Sequence, residues 1–154
     1  TFQEFYKPAQ KESFFDVCSA IDRAVNIISA TLASNNVSLH INKTEMPKAY
    51  GNENEYAQVI LNLLSNAKEA LVKNDVKNRK IIIDISTKGD KSKVIIKDNG
   101  GGIAPEIYKN LFTPFVGTEG SGVGLYMSKN ILEKNGGFIE AVNGEEGAEF
   151  TVIL

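Results

Sequence analysis

Glycines are concentrated directly before a late segment with helical periodicity. Residues 116–130 read VGTEGSGVGLYMSKN, with glycine at 117, 120, 122 and 124. A glycine-rich loop that opens a helix is a common binding site for phosphate groups, because its backbone N–H groups and the helix N-terminus both face the anion. The stretch therefore predicts a phosphate or nucleotide site, and several unrelated nucleotide-binding families satisfy that description.

Three well-known phosphate loops do not fit the spacing. A P-loop carries Lys and Ser or Thr directly after its last glycine, whereas Gly122 and Gly124 are followed by Val123 and Leu125. A dinucleotide fingerprint needs G-x-G-x-x-G after a strand, but these glycines are spaced by two and two and LFTPF precedes them. A protein-kinase glycine loop lies between strands early in its domain. The order of the other motifs must therefore identify the family.

Composition limits the partners and the compartment. The 154 residues are enough for one globular domain, and 17 basic against 19 acidic residues give a net charge of -2. This balance argues against a broad electrostatic surface for nucleic acid or anionic membrane. The single cysteine, Cys18, cannot form an internal disulfide, which fits a reducing compartment, and we expect it to be buried in packing. We expect a cytoplasmic location and no nucleic-acid partner.

Hydrophobic periodicity and turn signals predict alternating helices and strands. Ser13 with Asp16, and Asn52 with Glu55, are two helix N-cap signals. Helical periods predict helices at about 14–34, 52–73, 105–110 and 123–134, and alternating patterns predict strands at about 37–42, 80–86, 93–98, 138–142 and 149–154. We predict one domain over 13–154, preceded by a connecting segment at 1–12.

Two asparagines lie four residues apart in the second predicted helix. Asn62 and Asn66 therefore share one face of that helix. Asparagine is a mediocre helix former, so the pair is either part of a solvated face or a functional site. In the functional alternative, the amide oxygens are hard ligands that suit Mg²⁺, which usually keeps waters and is completed by substrate phosphates.

A carboxylate followed by three glycines ends the second strand of the predicted hairpin. Asp98 precedes Gly100, Gly101 and Gly102 in KDNGGGI. This sequence is compatible with a tight turn. The alternative is base recognition, in which Asp98 accepts a hydrogen bond from an exocyclic amine while glycines let a flat ring approach the backbone. Guanine would leave the carboxylate unpaired, so such a site would favour adenine.

Five motifs, taken in order, resemble one family of nucleotide-binding domains. They are NLLSNAKEAL (62–71), DNGGGI (98–103), LFTPF (111–115), GSGVGL (120–125) and GAEF (147–150). In sequence and order they resemble the boxes of the ATP-binding catalytic domain of sensor histidine kinases, within the superfamily of gyrase-type ATPases, ninety-kilodalton heat-shock chaperones and mismatch-repair ATPases. The element order and the resemblance both imply a two-layer α/β sandwich, with a mixed sheet of about five strands covered on one face by three main helices.

The resemblance also implies the role of each matching residue. Asn66 would be the Mg²⁺ ligand, Asn62 its catalytic neighbour, and Asp98 the group that reads the adenine amine. Phe112 and Phe115 would anchor a lid. The residues that it assigns to ATP are Asn66, Asp98, Gly100, Gly102, Ile103, Phe112, Phe115, Gly120, Gly122, Gly124 and Leu125.

The amide at position 62 separates two kinds of chemistry. Hydrolysing relatives have a glutamate that activates water at the matching position, whereas Asn62 has no basic function. The resemblance therefore implies transfer of the γ-phosphoryl group of Mg-ATP to a histidine. That histidine would lie on an upstream dimerisation and phosphotransfer domain, of which residues 1–12 would be the linker remnant, and a response regulator would receive the group afterwards. We expect the isolated domain to be a monomer and the full-length protein to be a homodimer. If that protein is a membrane-bound receptor, this chain would be its cytoplasmic part.

The sequence departs from the family pattern at two places, and these leave other functions open. Residues 116–121 are short and carry no lysine before the glycines, and Ala148 stands where threonine is usual. A lost lysine contact to the γ-phosphate would be worth about 1.5–3 kcal/mol. The alternatives are a non-catalytic nucleotide-binding regulatory module, a free-standing superfamily ATPase, or a serine kinase of the anti-sigma-factor type.

Overall fold

A computed structural model describes residues 12–114 and 121–154, with side chains omitted for 121–123. It contains seven strands and four helices in these ranges: β1 (Ser13–Asp16), α1 (Val17–Ser34), β2 (Ser38–Lys43), β3 (Lys48–Gly51), α2 (Glu53–Lys73), β4 (Lys80–Lys88), β5 (Lys91–Asp98), α3 (Pro105–Tyr108), α4 (Ser121–Lys134), β6 (Phe138–Asn143) and β7 (Ala148–Ile153). None of the helices in the described ranges has the length and apolar character needed to cross a membrane.

Five strands form the mixed sheet that the sequence predicts. Their order is β2-β4-β5-β7-β6. Strand β2 runs parallel to β4, and every other pairing is antiparallel. The β4–β5 hairpin turns at Gly89, whose φ of +64° is the left-handed conformation that glycine adopts without strain. Asp98 is the last residue of β5 and therefore lies where the central strand of the sheet ends.

The core lies between this sheet and the three long helices. Alternate residues of β4, namely Ile81, Ile83 and Ile85, are fully buried, as period-2 packing requires. Helix α2 is the central helix and packs against both α1 and α4. It contributes the largest run of buried side chains, which comprises Tyr56, Ala57, Val59, Ile60, Leu63, Leu64, Ala67 and Leu71. These findings confirm the predicted two-layer α/β architecture.

The start of the first helix is where the prediction was wrong. Ser13–Asp16 form a strand, β1, which pairs antiparallel with the unpredicted strand β3. Phe14 is 74% exposed and Phe15 5% exposed, which is the alternation of a strand rather than of a helix. Asp16 instead caps α1 by accepting a hydrogen bond from the backbone N–H of Cys18 at 2.9 Å. Helix α1 therefore begins at Val17.

The other boundaries differ by a few residues. Helix α2 begins after Asn52, whose side chain accepts from the backbone N–H of Glu55 at 3.0 Å as predicted. Helix α3 ends at Tyr108 rather than near 110, and α4 begins at Ser121 rather than near 123. Cys18 is buried, as expected. The connecting segment at 1–12 lies outside the described residues except for Glu12.

Candidate active site

Helix α2 and its C-cap carry a row of four residues at a spacing of four: Asn62, Asn66, Ala70 and Asn74. Each lies about 6 Å further along the axis and about 40° further around it, so the row winds around the helix by about 120° from Asn62 to Asn74. Asn74 is the C-cap residue of α2, so the row extends to the end of the helix. Two separate parts of the chain contact this row, one near each end.

Asn62 contacts the first turns of α4. Its Nδ2 lies 3.4 Å from the backbone oxygen of Gly124 and 3.3 Å from the buried Oγ of Ser128. Its Oδ1 accepts a hydrogen bond from Nε2 of Gln58 at 3.0 Å. A Cβ at position 124 would be 3.7 Å from Asn62 Cγ, an ordinary contact. The structure therefore brings Asn62 beside the end of the glycine-rich stretch.

Asn66 lies between the two contact points and has an unsatisfied amide. Its side chain is half-buried, and its Nδ2 is buried with no hydrogen-bond partner in the described part of the chain. Buried polar groups are nearly always paired, so an orphaned amide indicates a group that a ligand would satisfy. A carboxamide fits Mg-ATP, because its oxygen suits Mg²⁺ while its NH₂ can donate to a phosphate oxygen.

Clusters of histidine, cysteine and carboxylate side chains do not compete for a metal at this site. Groups of three or more such residues with metal-binding geometry are absent from residues 12–114 and 121–154. Amide oxygens beside α2 and the phosphates of a bound nucleotide are hard ligands of the kind that suits a divalent cation.

Asp98 ends β5 in a largely buried position. Its Oδ1 accepts a hydrogen bond from the backbone N–H of Gly100 at 2.8 Å. Burial raises the pKa of this carboxyl, and backbone hydrogen bonds from Gly100 and Ala148 oppose the rise. Part of the cost of desolvating this carboxylate has already been incurred on folding. The carboxylate can therefore accept a hydrogen bond from a ligand at a lower further cost.

Gly147 makes the closest approach to Asp98. A Cβ at position 147 would lie 2.6 Å from Asp98 Oδ1 and 2.8 Å from the backbone nitrogen of Gly100, and closer still to the carbonyl oxygen of Asp98. The motif GAEF therefore supplies a glycine because no side chain fits between β7 and the end of β5.

The loop after Asp98 is held by contacts from three elements. Nδ2 of Asn74 donates to the backbone oxygen of Gly100 at 2.7 Å, and the backbone N–H of Gly101 donates to the carbonyl oxygen of Glu146 at 3.1 Å. Asn143 of β6 accepts from the backbone N–H of Ile103 at 2.7 Å and donates to its oxygen at 3.1 Å. The loop is consequently a fixed structure and not only a tight turn.

Two clefts border this loop. Residues 99–105, together with Asn74, Val76 and Glu146, line one of about 670 Å³. Asp98 and Gly147 line the other, of about 210 Å³, with Lys80 and Lys97. Neither of these two clefts is lined by Asn62 or Asn66. The loop after Asp98 and the amide pair thus both lie beside α2 but are not enclosed together in either of these clefts.

The residues assigned to the lid are only partly described. Phe112 is half-buried and its ring lies 6.4 Å, centroid to centroid, from that of Phe150 in an edge-to-face arrangement. Leu125 is 4% exposed, so in this structure it packs in the core. Gly122 belongs to the first turn of α4 by its backbone. Phe115 and Gly120 lie outside the described residues.

Sequence reasoning missed four residues that complete the site: Asn74, Ser128, Asn143 and Gly147. A signal existed for Asn74, because it continues the spacing of four from Asn62 and Asn66. Gly147 was within a quoted motif, but its contact with Asp98 was not predicted. Ser128 and Asn143 carried no sequence signal, since each contact joins residues that are 40 or more positions apart.

Comparisons with known proteins agree with the geometry. The family described as Histidine kinase-, DNA gyrase B-, and HSP90-like ATPase matches residues 51–154. The chain is 31% identical over 143 residues to the sensor histidine kinase ZraS of Escherichia coli strain K12, covering 90% of this chain and 30% of ZraS. It is 38% identical over 109 residues to the C4-dicarboxylate transport sensor protein DctB of Rhizobium meliloti, covering 70% of this chain and 17% of DctB.

The fold is also similar to that of a solved catalytic domain. The catalytic domain of the histidine kinase ThkA superposes with a TM-score of 0.81 at 25% identity, covering 94% of this chain and 97% of that one. In contrast, the chain spans less than a third of the length of ZraS and of DctB. The similarity is therefore to one domain of these longer sensor proteins.

Proposed function

The chain belongs to the histidine kinase-, DNA gyrase B- and HSP90-like ATPases, as a catalytic domain of the sensor histidine kinase type, and we propose that it transfers a phosphoryl group from Mg-ATP to a histidine. The acceptor histidine is on a separate dimerisation domain of the same protein. A response regulator then receives the phosphoryl group, and the reaction takes place in the cytoplasm.

The row of residues on α2 carries this proposal. One rigid helix contacts the glycine-rich start of α4 through Asn62 and the Asp98 loop through Asn74. Between them lies Asn66, whose amide nitrogen has no hydrogen-bond partner within residues 12–114 and 121–154. A nucleotide lying along this row would meet a base-reading carboxylate at one end and a helix N-terminus, which favours phosphate, at the other.

Each residue has a defined task in the proposed reaction. Asp98 accepts from the exocyclic amine of adenine, and Gly100 and Gly102 shape the backbone against which the base lies. Asn66 holds Mg²⁺, which neutralises charge on the phosphates when it is bound. The backbone of the first turn of α4, which includes Gly122 and Gly124, faces the phosphates. The protein thereby contributes orientation and electrostatic stabilisation.

Asn62 favours transfer to an imidazole over hydrolysis. Its amide donates toward Gly124 and Ser128 and accepts from Gln58. An amide in this position cannot remove a proton from water, so it orients neighbouring groups instead of activating a nucleophile. A histidine imidazole needs no such base, because its neutral ring nitrogen is already nucleophilic.

The partners are inferred from similar proteins. A structure of ThkA was solved in complex with the response regulator TrrA, and 99% of this chain aligns with that ThkA chain at a TM-score of 0.78. ZraS and DctB are sensors. We infer the same arrangement for this chain, with a homodimer formed through the dimerisation domain and an isolated catalytic domain that is monomeric.

Phosphotransfer to a separate acceptor tests the proposal. The chain is mixed with the dimerisation domain of its own full-length protein, Mg²⁺ and ATP labelled at the γ-phosphate. We expect acid-labile, base-stable label on the acceptor histidine, and loss of that label when the histidine is replaced by glutamine. Binding of ATP without any labelled acceptor would contradict phosphotransfer.

A regulatory nucleotide-binding module is the second candidate. It is favoured by the short, lysine-free segment 116–121. If it is correct, the chain binds ATP but labels no acceptor, and a longer lysine-bearing segment at this position restores labelling. Steady release of inorganic phosphate by the chain alone would instead favour a hydrolysing ATPase, and labelled serine on a partner protein a serine kinase.

A further inference from the structure

Two asparagine side chains hold the loop after Asp98 from outside, one at each end. Asn74 lies at the end of α2 and Asn143 at the end of β6. We propose that this pair, which we call the asparagine clamp, positions the loop for adenine recognition and so sets the preference for adenine nucleotides. This inference rests on the proposed function, since it concerns how the same site recognises its base.

Asn143 uses both halves of its amide on one residue. Its Oδ1 accepts from the backbone N–H of Ile103 at 2.7 Å, and its Nδ2 donates to the backbone oxygen of Ile103 at 3.1 Å. Such a pair of bonds fixes the orientation of the peptide groups on both sides of Ile103. A serine or alanine at position 143 cannot make both bonds.

Gly102 lies directly against Asn143 of the asparagine clamp. Its φ is +91°, and a Cβ there would lie 2.8 Å from Oδ1 of Asn143. A side chain at position 102 would therefore be strained and would displace the amide. The close contact with Asn143 therefore explains the glycine at position 102 without a bound base. It also joins the glycine motif to β6.

Asn74 holds the opposite end and acts on Asp98 through one residue, Gly100. Its Nδ2 donates to the oxygen of Gly100 at 2.7 Å, while the N–H of Gly100 donates to Oδ1 of Asp98 at 2.8 Å. The α2 end thereby fixes the residue that orients the base-reading carboxylate. A Cβ at position 100 would lie 3.0 Å from Asp98 Oδ1, so Gly100 is in close contact with the carboxylate.

Strand β7 connects Asn143 to Asp98. Asn143 is paired with Ala148 across the β6–β7 ladder. Burial raises the pKa of Asp98, and the backbone N–H of Ala148, which faces this carboxyl, opposes the rise. The position of Asp98 relative to Ile103 is thus set by two asparagines and a strand. Both asparagines act through the backbone of the loop, so they are positioning residues.

Two measurements on the same variants test the clamp. Amide hydrogen exchange of Ile103, measured without nucleotide, reports the clamp geometry, and calorimetric titration with ATP and with GTP reports base preference. In the wild-type chain we expect a protected Ile103 amide and a preference for ATP. In Asn143→Ala we expect that amide to exchange faster and ATP affinity to fall about tenfold, which corresponds to the loss of about 1.4 kcal/mol, while GTP affinity changes little.

Conservative and matched variants separate positioning from a general structural effect. Asn143→Asp keeps the acceptor for the Ile103 N–H and loses the donor, so its ATP affinity should lie between those of wild type and Asn143→Ala. Asn74→Ala should lower the ATP preference in the same direction. Asn42→Ala is the control, because Asn42 also makes an inter-strand side-chain hydrogen bond, to Asp84 at 2.8 Å, but far from the loop along β2.

The outcomes distinguish the inference from the function on which it rests. A wild-type chain that binds no nucleotide overturns the proposed function and the clamp's role with it. A wild-type chain that binds ATP, combined with an Asn143→Ala variant of equal affinity and equal base preference, overturns the clamp alone. An unprotected Ile103 amide in the wild-type chain, or an Asn42→Ala variant that loses as much ATP preference as Asn143→Ala, also overturns it.

Discussion

Gly147 packs directly on Asp98, so that a Cβ on the glycine would lie 2.6 Å from Oδ1 of the carboxylate. The neighbouring backbone nitrogen of Gly100 would be 2.8 Å away from the same Cβ. The carboxylate therefore has its present orientation only because position 147 has no side chain. A base-reading role for Asp98 would then depend on the absence of a side chain at position 147.

Gly147→Ala should damage both stability and binding. The added methyl group must displace the backbone of Asp98 or of Gly100, and overpacking of this kind costs about 1–3 kcal/mol. We expect a lower unfolding temperature in calorimetry. We also expect ATP affinity to fall by more than the loss of folded protein alone explains. Gly89→Asn is the control, because the hairpin turn there is open and asparagine tolerates its left-handed backbone. A Gly147→Ala chain as stable as Gly89→Asn would contradict the contact.

Asp98→Asn should weaken adenine nucleotide binding. The amide can still accept from Gly100, but its NH₂ presents a donor where the exocyclic amine of adenine also donates. Such a mismatch costs about 1–3 kcal/mol, or roughly 5- to 150-fold in affinity. Isothermal titration with ATP and with ADP measures the change. Equal affinities for the wild type and the variant would remove Asp98 from base recognition.

Acidification should weaken ATP binding through protonation of Asp98. Burial raises the pKa of Asp98, so the folded chain binds this proton more tightly than the unfolded chain does. Its contribution to stability is consequently present at low pH and is lost as the pH rises through the raised pKa. ATP affinity should show the opposite trend and fall as the pH drops through that value, because protonation removes an acceptor. Asp98→Asn should abolish this titration, and a wild-type affinity that is flat across the acid range would contradict it.

Asn66→Ala should separate function from stability. The buried Nδ2 of Asn66 has no partner in the described residues, so its removal breaks no hydrogen bond and should change the unfolding free energy by no more than about 1 kcal/mol. The gain in ATP affinity that Mg²⁺ provides should nevertheless fall by at least the roughly 10- to 100-fold that the loss of an outer-shell partner costs a metal site. Titrations in Mg²⁺ and in EDTA measure this gain.

A second variant at this position tests whether Asn66 is the Mg²⁺ ligand. Asn66→Asp supplies a carboxylate, a stronger ligand for a hard cation, so half-maximal ATP binding should shift to a different Mg²⁺ concentration. An identical Mg²⁺ dependence for the wild type, Asn66→Ala and Asn66→Asp would exclude Asn66 as the ligand.

Tyr56→Phe should leave the fold intact or stabilise it. The hydroxyls of Tyr56 and Ser92 are both buried, and among the described residues neither makes a hydrogen bond of good geometry. Burial raises the pKa of the tyrosine, and a weaker interaction with the neighbouring Ser92 hydroxyl opposes the rise. Removing an unsatisfied buried hydroxyl should raise the unfolding free energy by up to about 1 kcal/mol, as measured by chemical denaturation. The half-exposed Tyr50 provides the control, with no expected change for Tyr50→Phe. Marked destabilisation by Tyr56→Phe would mean that its hydroxyl is paired.

Strong periodicity and ordered motifs were sufficient to predict most of the fold. The α2 segment has a regular apolar stripe and a true N-cap at Asn52, so local and tertiary preferences agree. The β1–β3 ribbon was missed because each strand has only four residues, and the Ser13–Asp16 spacing imitates a helix cap. Four residues contain too few alternations to outweigh such a signal.

The candidate site could be predicted only where residues act through local spacing or through a motif. Asn62 and Asn66 were found by their spacing, and Asp98 by its position at a strand end. The contacts of Asn143 with Ile103 and of Gly147 with Asp98 join residues far apart in sequence. They depend on the register of β6 and β7, which hydrophobic alternation alone does not determine.

The row on α2 also determines which length changes the chain can tolerate. One residue added or removed between positions 62 and 74 would turn one end of the row by about 100° relative to the other. Asn62, which contacts α4, and Asn74, which contacts the Asp98 loop, would then lose their present relative orientation. Insertions in surface turns such as the one at Gly89 carry no such penalty. The number of residues between Asn62 and Asn74 therefore has to be kept, whereas the length of the turn at Gly89 can change.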